Sequence, residues 1–229
     1  MSIKLNEIVP FGRSLQEYEL MFNFRESDYS KKILGCGDGP ASFNAEMTKK
    51  GYQVISIDPI YQFSSKQIKQ RFDDTIDLVI EQVNNTPNNW VWTYHKNSED
   101  LRQNRIQAME IFLEDYPQGL KERRYLVASL PKLPFADGEF DLALCSHLLF
   151  LYSDLLSLEF HLESIKELCR IAKEVRIFPL LTLASKPSPY VEIVQAKMSE
   201  AGIFSQIQPV AYELQKGGNR MLRIVNCNL

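Results

Sequence analysis

Three glycines alternate at Gly35, Gly37 and Gly39 in the stretch ILGCGDGP, and a carboxylate, Asp58, follows nineteen positions after the last of them. Glycine tolerates positive φ and lets the backbone come close to a bound molecule. A strand-to-helix loop of this kind cradles nucleotide-containing ligands, and an acid about 20 residues further on accepts hydrogen bonds from ribose hydroxyls. A plain tight turn and a solvated aspartate before Pro59 are the alternatives for each feature taken alone. The two together at this spacing favour a ribose-bearing cofactor. For proton transfer the chain offers three histidines, His95, His147 and His161. His147 follows the apolar run FDLALCS, so it stands at a strand end, where it could serve as a base or simply be a partly buried polar residue.

Spacing narrows the cofactor. Dinucleotide sites use GxGxxG or GxGxxA, with the pyrophosphate on the helix N-terminus and the third glycine easing helix packing. Counted from Gly35, that third position is Pro40; counted from Gly37, it is Ser42. A cofactor without a pyrophosphate fits the loop better, because it does not need the anion-binding helix end.

These residues need a scaffold. Residues 32–34 read as a short strand entering the loop, ASFNAEMTKKG as a helix ending at Gly51, and YQVISID as a second strand ending at Asp58, together one βαβ unit. Pro40 suits a first helical position, since its missing N–H is an orphan there. Ser14 to Phe24 reads as an N-capped helix. From about 61 to 121 the rhythm breaks. Ile68, Phe72, Ile76, Val79 and Val83 share one helical face, NNTPNNW is a loop, and Ser98 N-caps a second helix whose apolar face carries Leu101, Ala108, Met109, Phe112, Leu113 and Tyr116. This block reads as a helical insertion or cap within one domain spanning 1–229. The alternation resumes with RYLVASL, FDLALCS and EVRIFPLLTL as strands, and HLESIKELCRIAK and SPYVEIVQAKMSEAG as helices. FSQIQPVAYEL and RMLRIVNC form a terminal hairpin. The expected fold is α/β: a Rossmann-like, seven-stranded, mostly parallel sheet with a terminal antiparallel hairpin, helices on both faces, and the insertion after the second strand.

Composition sets the class. A hydrophobic fraction of 45% with 24% charged residues is that of an ordinary globular protein. A net charge of −3 argues against a non-specific nucleic-acid surface. The opening MSIKLNEIVPFGR lacks the apolar stretch of a secretory signal and no run is long enough to span a membrane, so a cytoplasmic protein is expected. Cys36, Cys145, Cys169 and Cys227 form no CxxC pair, and read as reduced, small hydrophobes rather than metal ligands. Trp90, Trp92 and Tyr94 alternate in the insertion, as stacking residues for a flat acceptor or as cap core.

ILGCGDGP, VISIDP and ASLPKLPFADGEFDLALCSHLLFLY resemble the first motif, second motif and fourth-strand region of the class I S-adenosylmethionine-dependent methyltransferases. The final hairpin is similar to the inserted antiparallel strand of that fold. The resemblance implies S-adenosyl-L-methionine as cofactor and in-line methyl transfer to an acceptor; it says little about the acceptor, for which a small molecule is the favoured reading. By the same resemblance, Gly35, Cys36, Gly37 and Gly39 would lie under the methionine and ribose. Asp58 would take the ribose hydroxyls, Pro59 and Ile60 would lie against adenine, and Ser129 and Leu130 would meet its edge. Ser146 and His147 would face the methyl group and the acceptor, where His147 is the candidate base. Two positions depart from the family: Ile33 and Ser129 stand where it commonly has acids. The remaining readings are a non-catalytic protein that binds the same cofactor or its demethylated product, and an NAD(P)-dependent oxidoreductase. Nothing in the sequence specifies an oligomeric state.

Overall fold

The computed structural model describes residues 10–225. Seven strands form one sheet: β1 (Ile33–Cys36), β2 (Val54–Ile57), β3 (Tyr125–Leu126), β4 (Phe140–Ser146), β5 (Ala172–Phe178), β6 (Phe204–Pro209) and β7 (Arg220–Val225). Their order is β3-β2-β1-β4-β5-β7-β6. The first five are parallel, and β7 inserts antiparallel between β5 and β6. This is the Rossmann-like arrangement expected. Chain order reverses between β1 and β4, so the loops after these two strands diverge and leave a crevice at their carboxyl ends.

The central strands are buried on both faces, as parallel strands covered by helices must be. Leu34, Cys36, Ala143, Cys145, Val175 and Ile177 pack on one side against α5 (Leu158–Ile171) and α6 (Val191–Glu200). Ile33, Leu142 and Leu144 face the other way, against α1 (Leu15–Met21) and α2 (Phe43–Lys49). There Tyr18 stacks on Phe43 with ring centroids 4.1 Å apart, a contact worth about 1 kcal/mol beyond its burial.

The insertion is two long helices, α3 (Ser65–Asn84) and α4 (Ser98–Lys121). They join Tyr61 and Tyr125 in a third apolar cluster. Arg124 makes a two-pronged bond to Asp115 at 2.7 Å, tying the end of α4 to the start of β3. The segment between the helices is stapled to the β6–β7 connection: Val91 N donates to Leu214 O, and Lys216 N donates to Asn89 O. That connection, residues 210–219, therefore leaves the hairpin that the sequence pattern extends through Leu214.

Three local expectations are corrected. The α2 helix begins at Phe43, not at Pro40. The N-terminal segment holds residues 40–42 out of the helix: Ser42 N donates to Arg13 O, and a Cβ on Gly12 would lie 2.0 Å from Pro40 O. The N-cap of α4 is Asn97, whose side chain accepts from Asp100 N, rather than Ser98. The third strand keeps only Tyr125 and Leu126. The chain then leaves the sheet, and Ser129 pairs with Lys132 in an isolated bridge. Among the described residues no helix is long and apolar enough to cross a membrane. Cys227 lies outside the described residues.

Candidate active site

At the crevice the chain forms a cavity of about 400 Å³. Its lining joins the loop after β1 (Cys36, Gly37), the end of β2 (Asp58, Pro59, Ile60), the segment after β3 (Ser129, Leu130) and the turn after β4 (His147, Leu148). Eight of the residues singled out in the sequence therefore meet in one place. Gly35, Gly39 and Ser146 do not line it. Gly39 lies behind Asp58, and Ser146 is buried beneath His147, its Oγ 2.9 Å from His147 Nδ1.

Each glycine has its own reason. Gly37 has φ +68, and a Cβ there would come within 2.8 Å of Leu148 Cδ2. A side chain would be strained and would push into the cavity wall. At Gly35 a Cβ would sit 1.8 Å from Asp38 Oδ2. Gly35 thus makes room for a carboxyl that sequence reasoning missed. Asp38 is buried, with Oδ1 accepting from Tyr18 Oη at 2.7 Å and Oδ2 from Ser56 Oγ at 2.6 Å. Burial pushes its pKa up to about 7, and the charge of Asp58 adds to this. While Ile33 is apolar and wholly buried, an acidic group does stand under the loop, supplied from within it.

Asp58 caps the turn that follows β2. Its Oδ1 accepts from Ile60 N at 2.8 Å and its Oδ2 from Gly39 N at 3.0 Å. Burial raises its pKa, and these two N–H groups oppose the rise. One bond per oxygen leaves further acceptor capacity, since an ionised carboxylate has about four lone-pair sites. The residue therefore serves as turn cap and can still accept from a diol.

His147 has φ +51, a left-handed backbone that a non-glycine residue seldom adopts. Its N–H donates to Phe178 O at 2.7 Å, which fixes the turn after β4 to the end of β5. Burial, then the charges of Arg13 and Arg105, holds the imidazole well below its ordinary pKa, with Glu17 in opposition. The ring is neutral at pH 7.

His147 also lines a second cavity, of about 110 Å³, on its other side. The insertion contributes Val79, Val83, Trp90, Leu101 and Arg105; the N-terminal segment gives Phe11 and Arg13; β5 and the β6–β7 connection give Phe178 and Tyr212. Of the alternating aromatics, Trp90 reaches this cavity, Trp92 packs in the insertion, and Tyr94 donates to Gln16 Oε1. Behind the wall lies a buried polar network missed in the sequence. Arg105 grips Glu17 with two bonds of 2.8 Å, Tyr212 Oη donates to Glu17 Oε1 at 2.9 Å, and His95 Nε2 lies 3.5 Å from the same oxygen. The one sequence signal was Arg105 itself, a charge on the same α4 face as Leu101, Ala108 and Met109. His161 is wholly buried in α5, away from both cavities. Cys36, Cys145 and Cys169 are buried thiols, and Cys145 and burial push the Cys36 thiol up, against a reactive thiol. Among the described residues no cluster of His, Cys, Asp or Glu could hold a metal ion.

A sheet of order 3-2-1-4-5-7-6 with its cavities at the carboxyl ends of β1, β2 and β4 defines a Rossmann-like α/β protein. No family model matches the chain. It is 35% identical over 223 residues to the uncharacterized protein MJ0045 of Methanocaldococcus jannaschii, covering 97% of this chain and 98% of that one. The chain belongs to the same family as that protein, and the match spans the insertion as well as the sheet. Among solved structures, the chain resembles magnesium protoporphyrin IX methyltransferase from Synechocystis PCC 6803 with bound SAM. The identity is 13%, the coverage 86% of this chain and 70% of that one, and the TM-score 0.44. It also resembles a SAM-dependent methyltransferase of Thermotoga maritima described as a possible histamine N-methyltransferase, at 13% identity, 93% and 86% coverage and TM-score 0.42. These two likenesses are remote and carry neither substrate nor site to this chain.

Proposed function

We propose that this protein is an S-adenosylmethionine-dependent methyltransferase acting on a small molecule. The observation that carries the reading is the meeting of Gly37, Asp58, Ile60, Leu130 and His147 around one cavity at the switch point of the sheet. The residues fit the cofactor. Asp58 keeps free acceptor sites for two ribose hydroxyls. Ile60 and Leu130 offer apolar walls for adenine, and Gly37 leaves the space that the methionine end needs. No phosphate-binding helix end is presented, because the chain turns through residues 40–42 before α2 begins.

When bound, the cofactor would supply a methyl group already activated by the positive charge of its sulfonium. The protein's part is mainly positioning. The second cavity holds the acceptor, with His147 between it and the cofactor cleft. The insertion and the N-terminal segment shield the reacting atoms from water. In the tautomer in which Nδ1 donates to Ser146 Oγ, the Nε2 of His147 is the nitrogen free to take the acceptor's proton.

Titration calorimetry with S-adenosylhomocysteine and with NAD tests the cofactor. The expected result is binding of the first alone. Asp58→Ala removes two charge-assisted bonds and is expected to weaken binding about 10- to 100-fold. Binding of NAD alone, or unchanged affinity in the variant, contradicts the reading. A turnover assay over small acceptors separates an enzyme from a protein that only binds the cofactor.

A further inference from the structure

The second cavity is lined by a partly buried cation, Arg13, that has no carboxylate of its own among the described residues. Arg13 Nη1 donates to the carbonyl of Phe11, but its Nε is buried and has no hydrogen-bond partner. Arg13 makes no ion pair among the described residues, whereas the other guanidinium of the cavity, Arg105, is matched by Glu17. Two guanidinium groups against one carboxylate leave one positive charge in excess. The nearby imidazole of His147 does not add to it, because it is neutral. An unpaired charge withdrawn from water is unfavourable, so a ligand that brings a negative charge beside Arg13 gains a charge-assisted pair there. Most of the rest of the wall, including Phe11, Val83, Trp90, Leu101 and Leu183, is apolar, with Gln215 and the hydroxyls of Tyr152 and Tyr212 as its other polar groups.

We propose that the acceptor is a small, mainly apolar carboxylic acid whose carboxylate pairs with Arg13 in the cavity on the far side of His147 from the cofactor cleft. This rests on the methyltransferase reading for the word acceptor, but the anion site stands on the cavity alone. The cavity of about 110 Å³ fits a single small ring or a short branched chain rather than a polymer or a large cofactor. Charge pairing has a second consequence. Arg13 and Arg105 depress the basicity of His147, and Glu17 supports it. A carboxylate beside Arg13 relieves part of that depression, so the base strengthens when the acceptor arrives.

The test is calorimetry on the full chain saturated with S-adenosylhomocysteine, using benzoate and 3-methylbutanoate, each against its own amide. Each acid is expected to bind at least about tenfold more tightly than its amide, as a charge-assisted pair implies. Arg13→Gln is expected to erase that ratio and to leave the affinity for S-adenosylhomocysteine within about threefold. Arg13→Lys, which keeps the charge, should retain part of it. Equal binding of acids and amides to the native protein overturns the proposal whatever the variants do. So does a large loss of S-adenosylhomocysteine binding in Arg13→Gln with 5′-methylthioadenosine unaffected, since the guanidinium would then hold the cofactor's own carboxylate. A preference for the acids in a protein that binds no S-adenosylhomocysteine supports the anion site and overturns the methyl-donor reading instead.

Discussion

His147 and Asp38 are the two residues whose protonation the fold alters most usefully. Burial and the charges of Arg13 and Arg105 keep His147 neutral, with Glu17 alone opposing them. Methyl transfer should therefore be level from about pH 8 down to about pH 6, where an ordinary histidine base would lose activity. A pH–rate profile with an acid limb near 6.5 would contradict this. His147→Ala should lower the rate about 10²- to 10⁴-fold if the ring takes the proton. Asp38 behaves oppositely to a surface acid. Its folded pKa of about 7 lies above the ordinary 3.8, so the folded state holds the proton more tightly than the unfolded state. Stability from this group is complete below the ordinary value and is lost as pH rises towards 7, by as much as about 4 kcal/mol. Asp38→Asn should flatten the dependence of urea stability on pH over that window; parallel curves for variant and native protein would refute the assignment. The placing of Gly37, Asp58 and His147 at one cavity was legible because motif and strand end fix them locally. Asp38, inside the same loop, was not: a charged residue between glycines reads as solvated until Gly35 is seen to make space for it.

At the scale of elements, α1, α4 and the β6–β7 connection are joined through Glu17. It closes the capping box of α1 with Ser14 while it holds Arg105 of α4 and Tyr212. Removing one partner strands a buried charge. Glu17→Leu should cost about 3–5 kcal/mol in urea unfolding, and the double change Glu17→Leu with Arg105→Met should cost clearly less than the sum. Additive losses would mean that the pair does not act as a unit. Helix and strand periodicity identified α3, α4 and the parallel strands. Periodicity could not show that residues 17 and 105, 88 positions apart, meet. Nor could it show the staple between the insertion and residues 214–216, which redirects the end of the hairpin. Long-range polar pairing leaves no local pattern, while an apolar face does.

For the molecule as a whole, acid stability depends on a second buried cluster that joins the N-terminal segment to the far sheet. Arg176 bonds Asp28 at 2.9 Å and Glu174 at 2.7 Å, and Arg223 also reaches Glu174. Burial opposes the charge on both acids, but these bonds prevail and hold each at about 2. Their folded values lie below the ordinary ones, so their contribution is present above about pH 4.5 and is lost as pH falls towards 2. With Asp38 acting on the alkaline side, urea stability should be greatest near about pH 5; a maximum above pH 7 would show that these groups do not govern it. The mostly parallel sheet and its terminal hairpin could be read from the alternation of strands and helices; the strand order, and with it the switch point, appears only in the fold. The second cavity could not be read either, because the N-terminal segment, the insertion and the last connection build it jointly. The most direct measurement of the central claim is a crystal structure with S-adenosylhomocysteine bound. The account predicts its ribose hydroxyls within hydrogen-bond distance of the Asp58 carboxylate, adenine between Ile60 and Leu130, and its sulfur facing His147. A nucleoside bound elsewhere, or ribose hydroxyls turned away from Asp58, would contradict it.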